Sequence, residues 1–356
     1  MSASSHPILF IPGPVEVLPE LRDVMSMPLI GHRSGPFKAE VQAICAKLKG
    51  LFLSEAHTLF ENCPATALME AGVRNLVRGR ILHLTCGAFS ERWVKVSTAC
   101  GREAEKISLD WGQANAVDTL IEHLRQAPPY EAVAITHNET STGVINPLRE
   151  LAAAIRETAP ETLILVDAVT SLGGAELRFD DWGLDLAFAG TQKCLALPPG
   201  LCVYAVSERA MAKAATVEGR GFLLDFVKAR DGLAAGKTPA TPCVPLAFAL
   251  STQLDRIASE GLEARWQRHA DMQTQVAAWA SQQDFAFFVK DAAARSPTVS
   301  TLRASGREVS ELIRRAAGAG FTLGNGYGKL RDQTFRIGHM GDHQPATLTQ
   351  LLSALE

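Results

Sequence analysis

Two charged residues, Lys193 and Asp167, follow apolar runs of the sequence, where a buried charge would be costly. Lys193 lies in GTQKCLALPPG (190–200), directly after the run LDLAFA, and Asp167 ends the run LILVD. Taken singly, each has an ordinary interpretation: a lysine near the surface, and an aspartate that caps a turn or helix. Together they offer an amine that can bond an aldehyde and a carboxylate that can hold a proton on a ring nitrogen. The pair predicts pyridoxal 5'-phosphate (PLP) as the cofactor.

A PLP site also needs a phosphate-binding turn and an aromatic surface for the ring, and the sequence offers a candidate for each. After HTLFE, the stretch ENCPATALMEAG predicts a turn that opens a helix, with free backbone N–H groups and the hydroxyl of Thr66. Helix N-termini bind phosphate through such donors. Phe89, in TCGAFSERW, is the candidate aromatic surface, although phenylalanine is also an ordinary core residue.

An amino-acid substrate needs a partner for its carboxylate, and Arg336 in TFRIGHMGD is the candidate. A guanidinium can donate two parallel hydrogen bonds to a carboxylate. The alternative is a solvated arginine at the edge of a strand.

These residues need a scaffold, and apolar runs alternate with helical segments over most of the chain. Strands are predicted at HTLF (57–60), RILHLT (80–85), AVAIT (132–136), LILVD (163–167), LDLAFA (184–189) and LCVYAV (201–206), and helices at 36–53, 65–78, 88–100, 116–126 and 147–158. The alternation predicts an α/β fold with a mostly parallel sheet covered on both faces. Ligands of such sheets bind at the carboxyl ends of the strands, where the candidate residues occur.

The pattern changes after about residue 245. Two long helices (246–260 and 262–282) precede the segments FAFFVK, PTVSTLR and TFRIG, a helix near 307–318 and a final helix. We therefore predict a large cofactor-binding domain at 1–245, with an N-terminal segment on its substrate side, and a small α+β domain at 246–356.

The composition excludes several classes of protein. The 356 residues carry a formal net charge of −3, with no basic run typical of nucleic-acid or membrane binding. No apolar run approaches the roughly 18 residues of a membrane span. The seven cysteines include no CxxC pair, so neither a disulfide framework nor a metal site is expected. The N-terminus lacks signal-peptide features and LLSALE is no peroxisomal signal, which predicts a cytoplasmic location.

Eight further segments share their order and spacing with one known family: FIPGPVEVLPE (10–20), GHRSGPF (31–37), CGAFSERW (86–93), HNETSTGVINPL (137–148), LVDAVTSLGG (165–174), GTQKCLALPPGL (190–201), TPATPCVPL (238–246) and FRIGHMGD (335–342). Through them the chain resembles, over nearly its whole length, the class V branch of fold-type I PLP-dependent aminotransferases, near the alanine–glyoxylate, serine–glyoxylate and serine–pyruvate enzymes. VDAVTSLGG combined with QKCLALPPGL is the most specific part. The resemblance implies a homodimer whose active site lies at the subunit interface.

The resemblance also implies roles for individual residues. Lys193 would bond the cofactor and carry a proton, and Asp167 would hold the proton of the pyridine nitrogen. Phe89 and Val169 would pack on the two ring faces, with Thr140 near the 3-oxygen. The phosphate would be bound by a set of residues from the turn, from the lysine loop and from the neighbouring subunit: Ala65, Thr66, Ala67, Gln192, Thr241 and Thr238. The substrate side would be formed by Arg336, which binds the carboxylate, and by Pro12 and Gly13.

The chain departs from the family pattern in two places. Phe89 stands where the mammalian alanine–glyoxylate type has a tryptophan. The phosphate turn reads Cys-Pro-Ala-Thr where a Ser/Gly-rich turn is commoner. Because Pro64 has no N–H, phosphate binding would depend on residues 65–67 and the Thr66 hydroxyl.

The implied reaction moves the amino group of alanine or serine to glyoxylate or pyruvate with ping-pong kinetics. No further arginine can be placed against a side-chain anion, which favours small neutral donors. Phosphoserine or aspartate remains an alternative donor, and His32-Arg33 resembles a pair that phosphoserine aminotransferases use. A cysteine desulfurase would need a nucleophilic cysteine late in the chain, and none follows Cys243. A non-catalytic scaffold is disfavoured by the presence of Lys193, Asp167 and Arg336.

Overall fold

A computed structural model describes residues 6–356, which form two main sheets and the helices around them. The strands are β1 (Ile8–Phe10), β2 (His57–Glu61), β3 (Arg80–Thr85), β4 (Glu103–Ser108), β5 (Ala132–Thr136), β6 (Asn138–Glu139), β7 (Val144–Ile145), β8 (Leu163–Asp167), β9 (Leu186–Gly190), β10 (Cys202–Val206), β11 (Val299–Arg303), β12 (Phe321–Asn325) and β13 (Thr334–Gly338). The helices are α1 (Pro19–Met25), α2 (Gly35–Phe52), α3 (Ala65–Leu76), α4 (Ala88–Ala99), α5 (Val117–Gln126), α6 (Leu148–Thr158), α7 (Glu208–Thr216), α8 (Phe226–Ala234), α9 (Val244–Glu260), α10 (Leu262–Gln282), α11 (Val309–Gly318) and α12 (Pro345–Leu355).

The larger sheet has seven strands in the order β2-β10-β9-β8-β5-β3-β4. The five strands from β4 to β9 in this order are mutually parallel, and β10 is antiparallel to both β9 and β2. This confirms the predicted α/β fold with a mostly parallel sheet. The carboxyl ends of the five parallel strands open on one edge, where a ligand site is expected.

The strands that could be predicted from the sequence are the buried ones. Strands β5, β8, β9 and β10 are buried along their whole length, as expected for strands covered on both faces, and all four were predicted within two residues. Strand β4 was not predicted, because it lies at the sheet edge and its sequence EAEKIS is largely polar and partly exposed.

Helix α2 shows the predicted apolar face. Its residues at helical spacing are all buried: Phe37, Val41, Ile44, Leu48, Leu51 and Phe52. The helix begins after Ser34, whose hydroxyl accepts the Phe37 N–H, and ends at Leu53 in a left-handed conformation. The buried face joins the core cluster beneath the larger sheet.

The smaller sheet has the order β1-β12-β13-β11, and β1 pairs parallel with β12. The N-terminal strand therefore lies in the sheet of the C-terminal part of the chain, while α9 packs into the core of the larger sheet. The division of the chain at residue 245 stays a prediction. The segment FAFFVK is not a strand: it contributes one isolated bridge, Phe287 to Leu302, and Phe285 instead stacks on Trp279 in the core.

Within residues 6–356, no helix combines the length and the apolar character that crossing a bilayer would require.

Candidate active site

A cavity of about 180 Å³ lies at the carboxyl ends of the parallel strands. Its walls contain eight of the residues selected from the sequence: Ala65, Thr66, Phe89, Thr140, Asp167, Val169, Gln192 and Lys193. The remaining lining residues are Pro64, Met69, Arg92, Asn138 and Thr170. Residues from five separate segments thus meet in one small enclosed space, as the positions of the strand ends predicted.

Lys193 projects from a tightly bonded loop after β9. The Thr191 hydroxyl donates to the carbonyl of Pro198 at 2.7 Å, and the Ala196 N–H donates to the carbonyl of Lys193 at 2.9 Å. From behind, the buried guanidinium of Arg265 donates to the carbonyl of Cys194 at 2.9 Å. These bonds fix the backbone that carries the amine.

The electrostatic setting of Lys193 raises the neutral fraction of its amine. Burial, and next the charge of Arg336, lowers the pKa of Lys193 to about 8. A neutral amine has the free electron pair that bonding an aldehyde or accepting a proton requires. Burying this lysine is unfavourable, and the same burial makes its amine easier to deprotonate near neutral pH.

The amine of Lys193 donates to the carbonyl of Pro12, on the loop that follows β1. Gly13 lies so close that a Cβ there would come within 2.5 Å of the lysine Nζ. Its φ of +98° is also one that side chains disfavour. The N-terminal segment therefore lies beside the amine of Lys193, and the substrate-side role of Pro12 and Gly13 stays a prediction.

Asp167 ends β8 and is 4% exposed. Its Oδ1 accepts the N–H of Val169 at 2.9 Å. Burial raises the pKa of Asp167 to about 7, and the charge of Glu139 adds to the increase, while Lys193 opposes it. A protonated ring nitrogen placed against this carboxyl would favour its ionised form.

Helix α3 begins at the cavity wall, directly after Pro64. The first N–H groups of a helix have no acceptor within it, so those of Ala65 and Thr66 can bind an anion. Ala67 does not line the cavity, and its N–H donates to the carbonyl of Pro64 at 2.8 Å. The structure therefore offers Ala65, Thr66 and the side chain of Gln192 as donors to a phosphate.

Arg336 lies in the middle of β13 and reaches towards the cavity from the smaller sheet. Its Nε donates to the carbonyl of Asn325 at 2.8 Å, and its Nη1 to the carbonyl of Thr140 at 3.3 Å. Burial lowers the pKa of Arg336 to about 10, so the guanidinium stays charged at neutral pH. Within residues 6–356 no carboxylate forms an ion pair with it. A substrate carboxylate would supply that missing partner.

The sequence of residues 71–320 matches the profile of the family described as aminotransferase class V. The chain belongs to the class V aminotransferase family. Enzymes of this class are generally PLP-dependent, so this aminotransferase is a PLP-dependent transaminase by family. Of its relatives, the serine–glyoxylate aminotransferase of Methylorubrum extorquens is 31% identical over 98% of this chain and 90% of that one.

A relative from Synechococcus, 37% identical over 98% of this chain and 92% of its own, is named soluble hydrogenase, small subunit. Among solved structures, an alanine–glyoxylate aminotransferase from Nostoc has a TM-score of 0.93 at 30% identity, with 99% of this chain and 94% of that chain covered. The family and the fold are therefore shown, whereas the relatives' names differ in the reaction they describe.

The residues of this class V aminotransferase fit PLP. Besides the amine, the carboxylate and the helix N-terminus, the cavity wall includes Asn138, whose Oδ1 is buried without a hydrogen-bond partner. Its Nδ2 is already used, since it donates to the hydroxyl of Thr170 at 2.8 Å. An unpaired buried acceptor indicates a polar group from a bound ligand.

Two site residues escaped the sequence analysis. Glu139 is fully buried and accepts hydrogen bonds at the start of α4, from the N–H groups of Phe89 and Ser90 and from the Ser141 hydroxyl. Its carboxylate also occupies the space that a side chain at Gly87 would need. Neither contact could be read from the motif HNETSTG alone.

The second is Arg92, which lines the cavity three residues after Phe89 on α4. From the sequence, no further arginine could be placed against a side-chain anion, and the structure shows Arg92 as a further arginine in the cavity wall. A signal was available, because residues three apart share a helix face and Phe89 was already assigned to the site.

Two predicted pairs lie outside the cavity. Thr241 is exposed, and the hydroxyl of Thr238 donates to the carbonyl of Ala240 at 2.7 Å. His32 and Arg33 contact each other at 3.4 Å on a loop with exposed residues. None of the four lines the cavity of its own chain. A larger, open groove of about 670 Å³, near Trp182 and Trp266, contains none of the predicted site residues.

Proposed function

We propose that this chain uses PLP to transfer the amino group of a short amino acid, alanine or serine, to glyoxylate or pyruvate. The observation that carries the proposal is the convergence of Lys193, Asp167 and the N-terminus of α3 on one enclosed cavity, with Arg336 beside it. Bound PLP would supply an electron sink that makes the proton on the substrate's α-carbon removable. Aspartate and phosphoserine are the alternative donors.

Each group in the wall then has a task. Lys193 would hold the cofactor, and its amine would move a proton at the substrate's α-carbon. Asp167 would keep the ring nitrogen protonated. Thr140 and the two packing residues Phe89 and Val169 would position the ring, and the phosphate would be bound by residues at the start of α3 and in the lysine loop: Ala65, Thr66 and Gln192. Arg336 binds the substrate carboxylate beside Pro12 and Gly13.

The enclosure of the cavity suits this chemistry. Pro12 and the amine of Lys193 are in contact, so the N-terminal segment limits the access of water to the reacting atoms.

We also propose that the active unit is a homodimer to which Thr241 and Thr238 contribute from the neighbouring subunit. Both lie outside the cavity of their own chain, as such a role requires. Large apolar side chains are exposed elsewhere on the surface, with Phe222 at 78% and Leu29 at 70% exposure, and a partner could cover them.

Mixing two inactive variants tests the shared site. Lys193→Ala lacks the amine, and Thr241→Asp places a negative charge against the phosphate. If Thr241 acts across the interface, a hybrid dimer holds one intact site, and an equal mixture should recover about a quarter of wild-type activity. If Thr241 acts within its own chain, the mixture stays inactive.

The reaction itself is tested with the purified, PLP-loaded protein and a panel of amino acids against glyoxylate, pyruvate and 2-oxoglutarate. We expect turnover with alanine or serine and parallel initial-rate lines, as ping-pong kinetics require. Intersecting lines would contradict the mechanism, and turnover with phosphoserine and 2-oxoglutarate alone would overturn the choice of donor.

A further inference from the structure

Arg92 is a second cationic group in the wall of the cavity, in addition to Lys193. Its Nη2 donates to the hydroxyl of Tyr327 at 3.1 Å, and its Nη1 lies 3.5 Å from the hydroxyl of Thr66. Neither partner is charged, and no carboxylate within residues 6–356 forms an ion pair with Arg92. A guanidinium has five N–H donors, so most of those of Arg92 remain free for a ligand.

The neighbouring acid does not neutralise Arg92. The Glu91 carboxylate instead accepts the indole N–H of Trp111 at 2.9 Å. Arg92 itself lies over the ring of Phe89, with its guanidinium carbon 4.9 Å from the ring centre. Stacking on an aromatic ring holds a guanidinium in place while its N–H edges stay available.

Tyr327 connects Arg92 to the predicted carboxylate-binding residue. Its ring stacks on Phe89 with centres 5.2 Å apart, and the guanidinium carbon of Arg336 lies 5.6 Å from the centre of the tyrosine ring. Both arginines therefore contact Tyr327, Arg92 at its hydroxyl and Arg336 at its ring.

The loop that carries Tyr327 is held in place. Asn325 and Asp332 close it with two hydrogen bonds, of 2.7 and 3.0 Å, and the carbonyl of Asn325 also accepts the Nε of Arg336 at 2.8 Å. The ring thus has a fixed position relative to both guanidinium groups.

The two anions expected in the site, the substrate carboxylate and the cofactor phosphate, have partners other than Arg92. A substrate α-carboxylate would pair with Arg336, and the cofactor phosphate would meet the N-terminus of α3. Arg92, with its free donors, would then face the substrate without an anion of its own.

We propose that Arg92, with the hydroxyl of Tyr327, forms a subsite for a second carboxylate, carried on the side chain of a short dicarboxylic amino acid or oxo acid. The proposal rests on the proposed transamination and extends its donor range from alanine and serine to acidic donors such as aspartate. Arg336 and Arg92 bind the two ends of the same substrate.

The test compares kcat/KM for L-aspartate and L-alanine, with glyoxylate as acceptor, in the PLP-loaded protein. Arg92→Gln should lower kcat/KM for aspartate at least 30-fold more than kcat/KM for alanine. In Arg92→Lys the difference between the two losses should be smaller than in Arg92→Gln. In Tyr327→Phe the loss for aspartate should exceed the loss for alanine by about 3- to 10-fold. The matched control is Lys95→Gln, which removes an exposed cation from the same helix and should change neither value.

Two further readouts separate the alternatives. The dissociation constant of PLP should change less than 3-fold in Arg92→Gln. If instead PLP binding weakens and both donors lose activity together, Arg92 binds the phosphate and the subsite proposal is wrong. Equal losses for both donors with unchanged PLP affinity, or no loss at all, would also overturn it.

Binding of maleate, which has two carboxylates and no amino group, is measured by calorimetry without turnover. Maleate should bind the wild type at least 10-fold more tightly than acetate, and this advantage should disappear in Arg92→Gln. If no amino acid reacts but the maleate result holds, the proposed function fails and the subsite stands. Equal affinity of the wild type for maleate and acetate would contradict the subsite proposal, whether or not the protein shows aminotransferase activity.

Discussion

The carboxylate of Glu139 accepts the backbone N–H of Phe89 at 3.1 Å from a fully buried position. The same carboxylate accepts the N–H of Ser90 at 2.9 Å and the hydroxyl of Ser141 at 2.6 Å. It therefore joins the turn that carries the aromatic ring to the turn that carries Thr140. The favourable dipole at the start of α4 offsets part of the cost of burying this charge.

Replacing Glu139 with glutamine should weaken both the fold and cofactor binding. The amide has a single acceptor oxygen, so its NH₂ group would face backbone donors and leave some of them unpaired. We expect the free energy of unfolding in urea to fall by roughly 2–4 kcal/mol, and the dissociation constant of PLP to rise at least tenfold. Glu91→Gln, whose amide oxygen can still accept the indole N–H of Trp111, is the control. Similar small effects in both variants would show that Glu139 does not position the site.

Asp167 should make the stability of the cofactor-free protein depend on pH. Its pKa is raised from 3.8 to about 7, so the folded state keeps a proton that the unfolded state has already lost. Folding stability attributable to Asp167 therefore falls as pH rises from about 4 to about 7. Asp167→Asn removes this loss of stability. The free energy of unfolding of Asp167→Asn, relative to that of the wild type, should therefore increase by on the order of 2–3 kcal/mol between pH 5 and 8.

Urea unfolding of the cofactor-free proteins measures this difference. The range stops at pH 8 because the pKa of Lys193 is about 8, so above that pH the titration of this lysine contributes increasingly to the pH dependence of stability. Asp255→Asn is a surface control that keeps the site unchanged. An advantage of Asp167→Asn that stays constant across the range would contradict the proposed burial of an ionisable carboxyl.

Arg336 should act through the substrate carboxylate. Arg336→Gln is expected to lower kcat/KM for alanine about 100-fold or more, because it removes a charge-assisted pair of hydrogen bonds of roughly 3 kcal/mol. Ethylamine lacks the carboxylate, so its slow half-reaction with the loaded protein should change little. Arg303→Gln, on the adjacent strand β11 and exposed, is the control. A parallel loss for alanine and ethylamine would assign Arg336 a structural role.

Strands and helices could be predicted from the sequence where burial produces a pattern of apolar residues. Continuous apolar runs marked the central strands, and the polar groups after β8 and β9 were located correctly at one sheet edge. The polar edge strand β4 gave no such signal. Strand β1 pairs with a segment more than 300 residues away, and no local pattern encodes such pairing.

The candidate site was predictable where several residues point to the same chemistry. Lys193 and Asp167 are each ambiguous alone and indicate one cofactor only together, whereas Glu139 resembles an ordinary loop acid until its backbone partners are known. The sequence also predicted that Ala67 binds the phosphate. Only the structure shows that its N–H is already donated to the carbonyl of Pro64.

Lys193 is proposed to bond the cofactor, and borohydride reduction tests this bond directly. Reduction of the PLP-loaded protein fixes the cofactor to whichever lysine holds it, and mass spectrometry of peptides then locates the label. The label should occur on the peptide that contains Lys193, and Lys193→Ala should carry none and lose visible absorbance and turnover, whereas Lys290→Ala, at an exposed position, keeps all three. A label on another lysine, or full turnover in Lys193→Ala, would contradict the assignment of Lys193 as the residue that bonds the cofactor.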